Sequence, residues 1–224
     1  RGARHFFMVD DLFGHRRRET IELCTLLADY QKSIGKDLNF TVQIRLDRGK
    51  DAALLQAMRK ANVTTVCIGF ESPVETELKA MNKKVRSEDM VAMSRAFHDA
   101  GFLVHGMFIF GYPLTGDSAN ASIPVNQRVR QYSKFIKKAK LDTIQVLLPV
   151  PLPGTKLTVR LEAQHRVFPK DCVGWEYYDG NFPLFMPDDP LTPEQMQQAI
   201  HKIMGRFYKF RFLFAVGLNV IIFP

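Results

Sequence analysis

Five segments of this chain read as buried strands: HFFMVDD, FTVQIRLD, TTVCIGFES, LVHGMFIFGYP and TIQVLLPVPLPGT. Each breaks off at its carboxyl side into residues too polar or too constrained for a core. Helix-length amphipathic stretches lie between them, so successive strands run parallel, and in parallel barrels and sheets chemistry gathers outside the carboxyl ends of the strands. The pattern predicts an α/β fold with five strand ends around one site.

With 224 residues, 46% of them hydrophobic, the chain can bury a substantial core. A net charge of +8 allows an anionic ligand or a nucleic acid. The basic residues are scattered along helix faces, with clusters only at Arg16 to Arg18 and Lys134 to Lys140, so they read as solvated faces and nucleic acid is disfavoured. Cys24, Cys67 and Cys172 are too far apart for a disulfide framework or a metal-ligand spacing, and Cys67 reads as core. The six histidines show no paired spacing on one face, which disfavours a metal site of the usual ligand geometry. No signal peptide is visible, and the tail Phe212 to Pro224 is too short and interrupted to span a bilayer by itself. The chain therefore reads as cytoplasmic, with a peripheral membrane contact of the apolar tail as the alternative. The first strand begins within a few residues of Arg1, so the chain reads as a fragment of a longer protein.

Periodicity and capping residues predict strands at His5 to Val9, Asn39 to Leu46, Val63 to Phe70, Phe102 to Phe110 and Thr143 to Val150. Helices are expected at Arg16 to Ser33, closed by Gly35, and at Lys50 to Lys60. Shorter ones follow at Glu75 to Met81 and at Ser87 to Ala100, with Ser87 as N-cap, and then a helix at Gln127 to Lys140. Tyr112 to Asn126 reads as loop. Pro151 to Pro190 reads as loop-rich, and Thr192 caps a final helix with Pro193 and Glu194 in its first turn.

The strand ends supply the candidate site. Asp10 and Asp11 could hold an ammonium group, a sugar hydroxyl or a metal, or cap the next turn. Gln43 and Arg45 share one strand face, where they could meet a ligand, or Arg45 and Asp47 could form an internal network. The carboxylate of Glu71 could accept from ribose hydroxyls or an amino group. Gly111, Tyr112 and Pro113 let backbone approach a flat ligand, as any tight turn would, and the same holds for Pro151 to Thr155. Trp175, Tyr177 and Tyr178 read as packing residues of a loop-rich appendage.

Taken in order, DD with Phe13, QIRLD, IGFES with LKAMNKK, GMFIFGYP and LLPVPLPGT resemble the radical S-adenosylmethionine (SAM) enzymes. The closest likeness is to the class that carries an amino-terminal cobalamin-binding domain. The stretch from Arg160 through WEYYDG to the last helix is similar to the appendage that follows the barrel in that class. The resemblance implies a partial TIM-like (βα)6 radical SAM barrel, strands two to six, over residues 1–155, with a carboxyl-terminal loop and helix appendage over 156–224. It implies a radical SAM enzyme, a cobalamin-dependent methyltransferase, using SAM, a 4Fe-4S cluster and cobalamin. An electron donor such as flavodoxin or ferredoxin and a small-molecule or lipid-like substrate would be its partners.

The family's cluster motif CxxxCxxC does not occur here, so the resemblance implies cluster ligands outside this chain and a segment inactive alone. By the same resemblance Asp10 and Asp11 approach the methionine amino group, and Arg45, beside Gln43, faces the SAM carboxylate or substrate. Glu71 and Ser72 lie near ribose or methionine. Gly111, Tyr112, Pro113, Pro153 and Gly154 pack around adenine. Two alternatives stay open: a SAM-like binding module without a cluster, and an RNA-modifying relative.

Overall fold

The computed structural model describes residues 2–115, 123–169 and 171–222, with side chains to residue 209. Five strands, β1 (His5–Phe7), β2 (Asn39–Gln43), β3 (Val63–Glu71), β4 (Leu103–Ile109) and β5 (Thr143–Leu147), form one parallel sheet in the order β1-β2-β3-β4-β5. Thr41 pairs with Thr65 and Gln43 with Cys67 in the parallel β2–β3 register. The helices are α1 (Arg17–Ile34), α2 (Ala52–Lys60), α3 (Glu75–Ala80), α4 (Ser87–Asp99), α5 (Val125–Lys138), α6 (Lys156–Ala163) and α7 (Pro193–Ile222). Strand-and-helix alternation with sequential neighbours is what the sequence pattern predicts.

Local differences have local causes. Ser87 is the first helical residue of α4 and not its cap; Arg86 holds that position without a side-chain cap bond. A 3₁₀ turn, Leu46–Lys50, delays α2. Gly49 sits where a Cβ would lie 2.9 Å from the Met93 carbonyl oxygen, a close approach that favours glycine. The stretch expected to be loop after β5 contains α6, capped by the Thr155 hydroxyl, which accepts from the Thr158 N–H at 3.2 Å. Proline and glycine on its amino-terminal side masked that helix in the sequence. Gly35 closes α1 in the left-handed conformation, as expected. Thr192 and Gln195 form a reciprocal capping box at the start of α7, each backbone N–H donating to the other side chain at 3.3 Å. The backbone of α7 is helical through most of the apolar tail; the tail's side chains, Phe223 and Pro224 lie outside the described residues. Among the described residues no helix is long and apolar enough to cross a membrane.

The chain forms two compact units. The first is Arg1–Phe70, Val85–Met107 and Phe135–Gln145, and the second is Glu71–Lys84, Phe108–Lys134 and Val146–Pro224. β3, β4 and β5 therefore pass from the first into the second near their carboxyl ends. In the first unit burial alternates along the strands: Phe40, Val42, Ile44, Val104 and Ile144 are buried, while Thr41, Gln43, His105 and Gln145 are not. The second face is polar, and His105 Nδ1 lies 2.8 Å from Thr143 Oγ1 on it. Asp51 caps α2 by accepting from the Leu54 N–H at 3.1 Å and holds Arg17 of α1 by two bonds, Nη2 at 2.9 Å from Oδ1. The hydrogen bond from Arg17 keeps the Asp51 carboxyl below its ordinary value.

The second unit is organised around a buried charge. Glu77 of α3 is fully buried, and Arg128 of α5, 5% exposed, brings Nη1 to 3.0 Å from its Oε1. The Ser72 hydroxyl donates to Glu77 Oε2 and accepts from the Val74 N–H at 3.0 Å. The Tyr132 hydroxyl lies 3.1 Å from Ser72 Oγ and 3.2 Å from Glu77 Oε2, and reaches the Ile109 carbonyl oxygen at 2.6 Å. Burial and the Glu77 charge push the Tyr132 pKa well up, so the phenol keeps its proton and acts as donor. Burial pushes the Glu77 carboxyl up, against the pull of Arg128 and the two hydroxyls. Phe108 and Phe110 flank the Tyr132 ring at centroid separations of 5.8 and 5.3 Å, closing the network in apolar surroundings.

Two outcomes are expected for the full-length protein in urea unfolding. Glu77→Ala strands the Arg128 charge and costs about 3–5 kcal/mol, while the pair Glu77→Leu with Arg128→Met costs less than Glu77→Ala alone. Asp51→Ala removes a cap worth about 1–2 kcal/mol at pH 7. Because the folded Asp51 pKa is lowered, that contribution is present above the unfolded carboxylate value. The deficit relative to wild type shrinks as pH falls below about 4.

Candidate functional site

Five non-glycine residues among those described have positive φ: Asn62, Glu71, Asn82, Lys140 and His165. Four of them follow a helix, where a left-handed residue is an ordinary exit. Glu71, at φ 62°, instead ends β3. A glutamate there costs on the order of 1–3 kcal/mol and persists only where its surroundings over-determine it. The next residue, Ser72, is turned inward onto Glu77. Glu71 is left half-buried with its carboxylate 2.8 Å from Lys83 Nζ. The Glu71 carboxylate thus lies at a strand end, and Ser72, fully buried, belongs to the network around Glu77.

The turn after β4 lies in the same unit. Gly111 has φ 78°, and a Cβ there would meet Met196 Cε at 2.7 Å. Gly111 and Pro113 are buried and Tyr112 is half-buried. The Phe110 N–H donates to the Leu147 carbonyl at 2.8 Å, tying the end of β4 to that of β5. Pro153 and Gly154 are exposed in the turn before α6, with Gly154 at φ 79° and no neighbour within 4 Å of where a Cβ would sit. Glu71, Gly111 to Pro113, Pro153 and Gly154 thus all belong to the second unit.

Asp10, Asp11, Gln43 and Arg45 belong to the first unit. Asp10 and Asp11 are exposed, and Asp10 Oδ1 accepts from the Leu12 N–H at 3.3 Å, the turn-capping arrangement the sequence allowed. Arg45 is exposed and grips Asp47, Nε to Oδ1 at 3.1 Å and Nη2 to Oδ2 at 2.9 Å. Gln43 is half-buried on the polar face of β2, beside Cys67 in register.

The donor set of this chain does not fit an iron–sulfur cluster. Burial pushes the Cys24 thiol up to about 11 and raises Cys67 as well, so neither is a ready thiolate. Cys172 is exposed, and no group of three His, Cys, Asp or Glu able to hold a metal occurs among the described residues.

Sequence reasoning missed Glu77, Arg128 and Tyr132. A signal existed. Arg128, Tyr132, Phe135, Ile136 and Ala139 follow helical spacing and are all buried, so a charged residue sits in the apolar stripe of α5 and demands a buried partner.

No family model matches the chain. An uncharacterised methyltransferase of Pyrococcus horikoshii is 24% identical over 208 residues, covering 92% of this chain and 41% of the relative. The hopanoid C-2 methylase of Rhodopseudomonas palustris is 28% identical over 197 residues, covering 86% and 34%. The chain thus spans about two fifths or less of the length of these relatives. The solved radical SAM methyltransferase TsrM from Kitasatospora setae, with cobalamin and a 4Fe-4S cluster bound, superposes with a TM-score of 0.62 at 13% identity, over 91% of this chain and 42% of that one. That likeness establishes the fold, a partial TIM-like (βα) barrel. The chain is thus similar in sequence to methyltransferases and shares the barrel fold of a solved radical SAM methyltransferase.

Proposed function

We propose that this chain is the SAM-binding part of a radical SAM methyltransferase. The observation that carries the reading is Glu71: a strained, half-buried carboxylate at the end of β3, held by Lys83, in a chain whose relatives are methyltransferases. In this reading residues 1–155 are the barrel portion and 156–224 its appendage. Glu71 accepts hydrogen bonds from the ribose hydroxyls or the amino group of SAM, and Lys83 holds its carboxylate in place. Gly111, Tyr112 and Pro113, with Pro153 and Gly154, offer flat backbone surfaces to adenine. Ser72, next in the chain, is anchored by its hydrogen bond to Glu77. Asp10, Asp11, Gln43 and Arg45 are further candidate contacts with SAM, by the family resemblance alone.

Bound SAM supplies the methyl group or adenosyl radical, and the chain's own residues orient it and exclude water. The 4Fe-4S cluster and cobalamin belong in this reading to other parts of the protein. An electron donor of the flavodoxin or ferredoxin kind and a small-molecule or lipid-like substrate complete it; the hopanoid C-2 methylase relative favours the lipid-like kind.

The reading is checked by isothermal titration of SAM into the full-length protein. Glu71→Ala is expected to weaken SAM binding by about tenfold, the loss of one charge-assisted hydrogen-bonding group. Asp10→Ala is expected to weaken it less, since its carboxylate also caps a turn. Unchanged affinity in both variants would remove these residues from the site.

A further inference from the structure

The turn after β4 is held by side chains that come from far along the chain. Arg160 of α6 donates Nη2 to the Pro113 carbonyl oxygen at 2.9 Å and Nη1 to that of Leu114 at 3.3 Å. Asp188 Oδ2 accepts from the Leu114 N–H at 2.7 Å. Asp188 is itself fixed: Arg166 Nη2 lies 2.7 Å from its Oδ1, and Arg166 Nε donates to the Met186 carbonyl at 2.8 Å. The fully buried Met196 of α7 closes against Gly111, where any Cβ would collide with it. Three backbone atoms of two adjacent turn residues are therefore satisfied by two charged side chains. A neutral loop could be held more simply by its own backbone bonds. Charged groups hold a backbone harder and in a defined orientation.

We propose that Arg160 and Asp188 are positioning residues that set the Gly111–Leu114 turn for adenine, so that the segment after β5 controls SAM affinity. The inference rests on the reading that this turn receives adenine. Neither side chain need touch the ligand. The Arg160 fork fixes where the Pro113 and Leu114 carbonyls point, and Asp188 fixes the Leu114 amide, which together determine the plane the turn presents. Gly111 supplies the positive φ that lets the chain leave β4 into that plane, with Met196 blocking any larger residue. A side chain that only stabilised the fold would have no reason to act on adenine-containing ligands in proportion.

The test compares SAM with 5′-methylthioadenosine, which keeps adenine and ribose but lacks the methionine carboxylate and amine. In the full-length protein, Arg160→Gln and Asp188→Asn are each expected to raise Kd for both ligands by the same factor, about tenfold. Arg160→Lys keeps one donor and is expected to recover part of the loss. A lowered thermal midpoint with unchanged Kd in both variants would reduce the two residues to a structural role and overturn the proposal. So would a loss for SAM with none for 5′-methylthioadenosine. If Arg160→Gln does not fold, Asp188→Asn decides alone, since asparagine keeps the shape of aspartate and loses the charge by which Arg166 orients it. Wild-type protein that binds neither ligand would overturn the SAM reading itself, a result distinct from failure of the brace.

Discussion

The contact between Glu77 and Arg128 is the constraint on which the second unit depends. A carboxylate with no exposed surface can be kept only if its charge is met and its lone pairs are filled. Here Arg128 meets the charge while Ser72 and Tyr132 place hydroxyls against Oε2, and they come from different places: Arg128 and Tyr132 from successive turns of α5, Ser72 from the end of β3. Tyr132 extends the network to the last carbonyl of β4. The strand ends are therefore tied by polar bonds inside an apolar shell of Phe108 and Phe110. Such a network fixes geometry more firmly than it adds stability.

The functional consequence is carried one residue away. Next to the inward-facing Ser72, Glu71 takes the left-handed conformation and has its carboxylate at the strand end, paired with Lys83. Strain of this kind is a cost that a purely structural glutamate would shed by substitution to glycine or asparagine. From the other side, α6 and the Asp188 segment grip the turn after β4, and Met196 packs on Gly111. The part of the chain beyond β5 is thus engaged with the strand-end turn by hydrogen bonds as well as by packing.

Much of this was legible in the sequence, and the illegible part has physical reasons. The parallel strands could be read because apolar runs of strand length alternate with helical periodicity, and their carboxyl ends because Asp10, Arg45, Glu71 and Gly111 break those runs. The family resemblance rested on those same breaks. Strand lengths were overestimated: the residues continuing β1, β2 and β5, such as Val9 and Leu148, are apolar enough to look like strand although pairing has stopped. Ser87 looked like a cap because serine caps by hydrogen bonding, which only the local φ and ψ can reveal. α6 was hidden behind proline and glycine. The bond from the Ser72 hydroxyl to Glu77 could not be read from the sequence, because composition cannot tell which way a hydroxyl turns. Glu77 and Arg128 escaped notice because a buried pair is a property of two helices at once, although Arg128 within the α5 apolar stripe was a usable sign.

The most direct test of the central claim is a crystal structure of the full-length protein with SAM bound. The account predicts that the carboxylate of Glu71 hydrogen-bonds the ribose or the methionine amino group, with adenine against the backbone of Gly111 to Pro113. SAM bound away from both Glu71 and that turn would contradict it.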